Sequence, residues 1–223
     1  MSGFKTEGIV LKRRNFGEAD RILTVFTPFK GKITVLGKGL RRIASRRAGN
    51  VELLNRSILY LHQGKGMPIL TEAQTLQSYQ KIKGDLTLST YAYHIIELVD
   101  KLTAENQENR ILYEHLVEVL KRLERNPRQV LIRAFESKIL SNLGFISFQN
   151  PQVSIQIHPN VGSSPNKGVH LELLEKLENS AWDEIEKMEI KEKEALELER
   201  LLRYHVERVI EGQLKSRQFL KKL

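Results

Sequence analysis

The hydrophobic period of this chain changes once, near residue 80, and that change dictates a β module followed by a helical one. Before it, β-branched and aromatic runs alternate with turn clusters. Ile22-Leu23-Thr24-Val25-Phe26-Thr27 leads into the turn Pro28-Phe29-Lys30-Gly31-Lys32, and Ile33-Thr34-Val35-Leu36 resumes the β pattern, which predicts a hairpin. Gly8-Ile9-Val10-Leu11 precedes it, connected through Asn15-Phe16-Gly17-Glu18. After a basic loop, Val51, Leu53, Leu59 and Leu61 are expected on one face of a fourth strand. A turn over residues 62–68 then leads to a fifth, from Ile69 to Leu76. Five short antiparallel strands in this space suit a small closed barrel, and the OB-fold is the commonest of that strand count.

From Asp85 onward apolar residues recur at helical steps. Leu88, Tyr91, Ile95, Val99 and Leu102 mark one helix, and Leu112, Leu116, Leu120 and Leu123 a second, closed by Pro127. A third spans about 128–143, with Gly144 as its C′ residue. Ala195, Leu198, Leu202, His205 and Val209 mark the longest. Ser180-Ala181-Trp182-Asp183 reads as a capping-box start for a short helix before it. The fold class is therefore α+β: a five-stranded OB-fold β-barrel over residues 1–80, then an all-α helical domain over 81–223. Residues 145–173 interrupt the helices. Val153, Ile155 and Ile157, and again Val169, Leu171 and Leu173, alternate with polar residues, which predicts a β-hairpin insertion with its loop near 160–167. The alternative is an irregular loop followed by a helix starting near Val169.

Net charge is +9, and all of it belongs to the first module: residues 1–80 hold 14 Lys/Arg against 5 Asp/Glu, whereas residues 81–223 hold 22 of each. Between Asp20 and Glu52 there is no acid, while Arg21, Lys30, Lys32, Lys38, Arg41, Arg42, Arg46 and Arg47 supply eight cations. Solvated surfaces usually interleave both signs, so this stretch points to a polyanionic partner, nucleic acid before membrane, because no amphipathic helix carries the cations. The loop from Lys38 to Arg47 is the strongest element, with five cations and a glycine between two strands. Phe16 and Phe29 lie in turns beside this basic segment, where rings could stack on bases.

A search for catalytic chemistry returns little. No phosphate-binding Gly-x-x-x-x-Gly-Lys-Ser/Thr loop, His-Glu-x-x-His or Gly-x-Ser-x-Gly occurs, so an enzyme is not expected. His94 with Glu97, and His115 with Glu118, sit three apart on helices and read as ordinary polar pairs, so no metal site or cofactor is expected. Cysteine is absent, which removes disulfides and thiolate metal sites and fits a reducing, cytoplasmic setting. No apolar run approaches the roughly 20 residues that cross a bilayer, and the first residues lack a secretory apolar segment, so no membrane partner is expected.

At these residues a family resemblance becomes specific. Glu7-Gly8-Ile9-Val10-Leu11-Lys12, Gly17 to Thr27, Lys30-Gly31-Lys32 and Lys38-Gly39-Leu40-Arg41-Arg42 with Ser45-Arg46-Arg47 resemble the N-terminal domain of the bacterial DNA repair protein family RecO. Arg133-Ala134-Phe135-Glu136 with Leu140 and Gly144 is similar to its central helix. Leu202-Arg203-Tyr204-His205, Leu214-Lys215-Ser216-Arg217 and Phe219-Leu220 are similar to its end. The resemblance implies an OB-fold joined to a helical domain, acting with the nucleoid in the cytoplasm. It implies binding of single- and double-stranded DNA, annealing of complementary strands and, with RecR, loading of RecA onto DNA coated by the single-stranded-DNA-binding protein. By matching positions, the DNA contacts would be Arg14, Arg21, Lys32, Lys38, Arg41, Arg42, Arg46 and Arg47. Arg133 would pair with the acidic C-terminal tail of the single-stranded-DNA-binding protein, or form an ion pair with a neighbouring Glu.

One departure from the family follows. Many relatives carry four zinc-binding cysteines after the central helix, where this chain has none, so the insertion is expected to replace the zinc module by apolar packing. The alternative function from the residues alone is an RNA-binding OB-fold protein of the translation apparatus. A third makes the helical domain a protein adaptor and the basic domain incidental.

Overall fold

The computed structural model describes residues 3–146 and 167–216, the latter by backbone alone at 167–171. Five strands, β1 (Gly3–Phe16), β2 (Asp20–Thr27), β3 (Gly31–Gly37), β4 (Arg56–His62) and β5 (Ile69–Gln77), close into a barrel in the order β1-β2-β3-β5-β4. The pairings are antiparallel except where β3 meets β5 in parallel at Leu36 and Ile69, the contact that closes the ring. Closure at this one pair brings the two ends of the sheet together. Its interior is filled by Val10, Leu23, Val25, Ile33, Val35, Leu59, Leu61 and Leu70, the inward members of alternating runs.

The fourth strand departs from its sequence reading. Val51 closes a single 3-10 turn (Ala48–Val51), and the strand starts only at Arg56. Leu54, at φ +70°, reverses the chain between them, and Asn55 donates its amide to the Glu52 carbonyl. Leu54 N–H donates to the Val10 carbonyl and Val10 N–H to that of Asn55. These bonds to β1 hold Val51–Leu53 out of the sheet, although Val51 still reaches the core.

Helices follow: α1 (Gln80–Gly84), α2 (Leu86–Leu102), α3 (Arg110–Arg125), α4 (Gln129–Asn142), α5 (Lys167–Asn179), α6 (Trp182–Lys187) and α7 (Glu192–Val209). Most of the expected stripe positions are buried, among them Ile95 and Val99 on α2, Leu112, Leu116, Leu120 and Leu123 on α3, Leu131, Phe135 and Ile139 on α4, and Leu198 and Leu202 on α7, while Leu88, Tyr91, Ala195 and Val209 are half-buried. Gly144 takes φ +75° just past α4, as its C′ role requires.

Two local expectations are corrected. The second arm of the proposed hairpin, Val169 to Leu173, is helical, within α5. Alternation held only to Leu173, and the residues that are buried, Leu174 and Leu177, are three apart, a helical step that packs α5 on α4. Thus residues 167–173 are not part of a non-helical insertion; the first arm, Val153 to Ile157, lies outside the described residues. Secondly, α6 starts where expected, but its N-cap is Ala181 rather than Ser180, and alanine has no side-chain acceptor to cap the helix; Asp183 in the first turn pairs with Arg122 at 2.6 Å.

The chain forms two compact units. One contains residues up to Asp85 together with Thr103–Glu114; the other contains Leu86–Leu102 and the residues from His115 onward. Residues 103–114 join the first unit through particular bonds. Asn106 N–H donates to the Lys32 carbonyl at 2.8 Å, Thr34 Oγ1 to Glu105 at 2.9 Å, and Tyr113 Oη to Glu7 at 2.6 Å. Gly31 permits the approach: at φ +60°, a Cβ there would lie 1.8 Å from the Gln107 carbonyl oxygen. Burial pushes Glu7 up, but hydrogen bonds from Arg56 and Tyr113 outweigh it and hold its carboxyl below the usual range.

Candidate nucleic-acid interface

Residues 38–47 link β3 to the 3-10 turn, and the barrel holds them from three sides. Leu40 drops into the barrel core, 1% exposed, where the missing Cβ of Gly37 leaves room: one there would meet Leu40 Cδ1 at 2.1 Å. Gly39, at φ +66°, turns its N–H onto Asp20 Oδ1 at 2.7 Å. Arg41 N–H donates to the Ala19 carbonyl at 2.8 Å, and its guanidinium to the carbonyls of Gly17 and Glu18. Arg47 reaches the other way, donating to the Leu70 carbonyl at 2.5 Å and the Lys38 carbonyl at 2.7 Å. The loop is thereby a fixed platform. Arg41 and Arg47 keep their charges, since carbonyls do not neutralise them, but spend donors on holding it.

The remaining cations face solvent. Arg14, Lys38, Arg42 and Arg46 are exposed, and none has a carboxylate partner among the described residues. Arg21 differs: with Arg13 it shares Glu52, at 3.8 Å and 2.5 Å respectively. Strand register places these groups at one end of the barrel. Arg14 pairs with Ile22, Asn15 with Arg21 and Arg21 with Gly37, so the β1–β2 turn and the start of the loop adjoin. Phe16, 47% exposed, stands at the same end.

The other two predicted residues are elsewhere. Thr27 pairs with Gly31 and Arg21 with Gly37, so Phe29 and Lys32 lie at the opposite end of the β2–β3 hairpin, about 20 Å away at the strand rise of ~3.3 Å per residue. Phe29 is exposed with the Arg110 guanidinium 5.8 Å from its ring, and the Lys32 side chain is largely covered. The structure therefore brings together Arg14, Phe16, Arg21, Lys38, Arg41, Arg42, Arg46 and Arg47, but not Phe29 or Lys32. Arg13 joins the same end and was missed by sequence; its pairing with Glu52 depends on a contact 39 residues away in sequence.

In the helical unit, Arg133 of α4 is an ion-paired residue. Its guanidinium donates to Glu136 at 2.7 Å and approaches Glu199 at 3.4 Å. Glu136 is buried and also meets His94 Nε2 at 2.7 Å; burial pushes its carboxyl up, yet Arg133 and His94 hold it below the usual range. Arg133 also lines a pocket of about 380 Å³, where Val130, Ile190, Leu196 and Leu198 stand beside two arginines, Arg128 and Arg133, and two acids, Glu192 and Glu199. The helical His/Glu pairs are split among other partners. His94 meets Glu136 and Ser216, Glu97 accepts the amides of Lys215 and Ser216, His115 meets Trp182, and Glu118 pairs with Lys121 and Arg122. Among the described residues no group of three or more His, Asp or Glu could hold a metal, and no helix is long and apolar enough to cross a membrane. A four-cysteine zinc site does not fit a chain without cysteine.

Comparison with known proteins identifies the family. The family description "Recombination protein O N terminal" matches residues 1–79, and "Recombination protein O C terminal" matches 83–147 and 155–218. The DNA repair protein RecO of Acetivibrio thermocellus is 39% identical over 148 residues, 65% of this chain and 59% of that protein. That of Roseiflexus sp. is 34% identical over 143 residues, 64% of this chain and 50% of its own. That of Dehalococcoides mccartyi is 27% identical over 235 residues, 96% of this chain and 93% of its own. The chain thus spans 59% and 50% of the length of the first two relatives and nearly all of the third. Matched over both its barrel and its helices, this chain belongs to the RecO family.

Proposed function

We propose that this chain is a non-enzymatic DNA recombination mediator. It binds single- and double-stranded DNA through the cationic end of its barrel and anneals complementary strands. With RecR, it promotes loading of RecA onto DNA coated by the single-stranded-DNA-binding protein. The observation that carries this reading is the group Arg14, Lys38, Arg42 and Arg46, exposed and with no carboxylate partner among the described residues, on a platform held by Leu40, Arg41 and Arg47. Cations placed so neutralise phosphates on two strands at once, which lowers the repulsion that opposes pairing and needs no nucleotide hydrolysis. Base preference is weak, since phosphate contacts position a strand without reading it. Phe16 offers a ring on which one base can stack.

The pocket beside Arg133 supports a second contact, with the acidic tail of the single-stranded-DNA-binding protein. Val130, Ile190, Leu196 and Leu198 in its lining suit an aromatic side chain, and the guanidinium groups of Arg128 and Arg133, which line it beside Glu192 and Glu199, suit a carboxylate. The test is annealing of complementary strands coated with that protein, with and without RecR. Annealing in the absence of nucleotide, lost on reversing Lys38, Arg42 and Arg46 together with folding intact, is expected. Retained annealing in that variant overturns the assignment of the loop.

A further inference from the structure

We infer that residues 103–114 are a built-in cover over the outer face of β2 and β3, so that a bound strand is held by its phosphates at the loop end while its bases stay free to pair. This rests on the DNA reading above and adds how the bases are presented. In OB-fold barrels the β2–β3 face is where oligonucleotides lie, and rings on it stack the bases. Alternation identifies that face here. Leu23, Val25, Ile33 and Val35 belong to the barrel core, so Thr24, Phe26, Lys32 and Thr34 point outward. Register sets Thr24 against Thr34 and Phe26 against Lys32. An outward ring on this face would be a stacking platform, yet Phe26 is 0% exposed and Lys32 9%.

The segment over these residues is bonded to the barrel much as another strand would be. Glu105 bridges to Lys32 in parallel, Asn106 N–H donates to the Lys32 carbonyl at 2.8 Å, and Thr34 Oγ1 donates to Glu105 Oε1 at 2.9 Å. Further on, Tyr113 sets its ring 6.1 Å from that of Phe26 and donates its hydroxyl to Glu7 at 2.6 Å. Gly31 makes room for the Gln107 carbonyl, which a Cβ would strike. Charge acts in the same direction as this steric block. Residues 103–114 carry Glu105, Glu108 and Glu114 against Arg110, itself paired with Glu114 at 2.9 Å. Phosphate therefore meets acids over this face and cations at the loop end. Phe16, at the loop end, can stack one base, and the bases beyond it project into solvent. Bases stacked on a barrel must be released before they pair, whereas bases left in solvent pair directly.

The test is permanganate oxidation of a labelled thymine strand, which attacks unstacked bases, with saturation established by anisotropy. Bound to the unaltered chain, all thymines but about one should react within about twofold of the free strand. Gly31→Ala drives a Cβ into Gln107 and displaces the cover. Thr34→Val with Tyr113→Phe removes the bonds to Glu105 and Glu7 with little change in volume. Each variant, checked for folding by circular dichroism, should lower reactivity roughly tenfold at further thymines, the scale of stacking a base on a ring, and should slow annealing. Where Gly31→Ala fails to fold, the double variant decides. Protection of a run of thymines by the unaltered chain overturns the cover, and so does unchanged reactivity in the folded variants; both leave the DNA reading standing. A flat anisotropy titration of the unaltered chain overturns the DNA reading, and the cover with it.

Discussion

The salt dependence of single-strand binding follows from how many cations the fold leaves for phosphate. Arg14, Lys38, Arg42 and Arg46 are exposed and have no carboxylate partner among the described residues, whereas Arg13 and Arg21 share Glu52. If each of those four contacts one phosphate, log affinity against log salt should slope near −2.8, at about −0.7 per contact on single strands. Affinity should then fall about 50-fold between 50 and 200 mM salt. Replacing Arg42 and Arg46 by Gln removes two contacts and should bring the slope to about −1.4, a fall of only about sevenfold over the same range. Lys32→Gln, at the far end of the hairpin and largely covered, should leave the slope where it was. Anisotropy titrations of a labelled oligonucleotide at several salt concentrations measure all three. An unchanged slope in the double variant, or an equal drop in Lys32→Gln, would refute the reasoning, because the charge count would then not come from this loop.

Two further outcomes concern stability. Leu40→Ala should cost about 2–5 kcal/mol, since the residue is 1% exposed within the barrel core, and DNA affinity should fall with it; urea unfolding and anisotropy read the two effects. Glu136→Gln should destabilise the chain by about 3–5 kcal/mol at neutral pH by leaving Arg133 and His94 short of a buried partner. The Glu136 carboxyl lies below its unfolded value near 4.3, so its contribution is full above that pH and fades as pH falls through the folded value. The deficit of Glu136→Gln should therefore shrink in acid, and a deficit constant from neutral pH down to pH 2 in chemical denaturation would count against this network.

Legibility in the sequence tracked how local each feature is. The β2–β3 hairpin and the stripes of α2, α3, α4 and α7 come from periodicity within one element, and they stand where expected. Val51–Leu53 misled because alternation continued in composition while Leu54 and Asn55 bonded to Val10 and broke the strand. Val169–Leu173 misled because a five-residue alternation satisfies two periods, and packing against α4 chose the helical one. Arg133 carried two readings, a partner's carboxylate or an internal one; Glu136 is three residues away on the same helix, and the ion pair forms.

A short-range pattern was enough to reveal a barrel followed by helices and a basic segment without acids, because strand and helix periods and charge runs are written residue by residue. Closure of the barrel decided which of those cations meet solvent. The carbonyls that take Arg41 belong to the β1–β2 turn and those that take Arg47 to β5 and Lys38, while Glu52 reaches back to Arg13 and Arg21. Each of these partners lies at least nine residues from the arginine it holds, so availability for phosphate is a property of long-range contacts that no local pattern encodes.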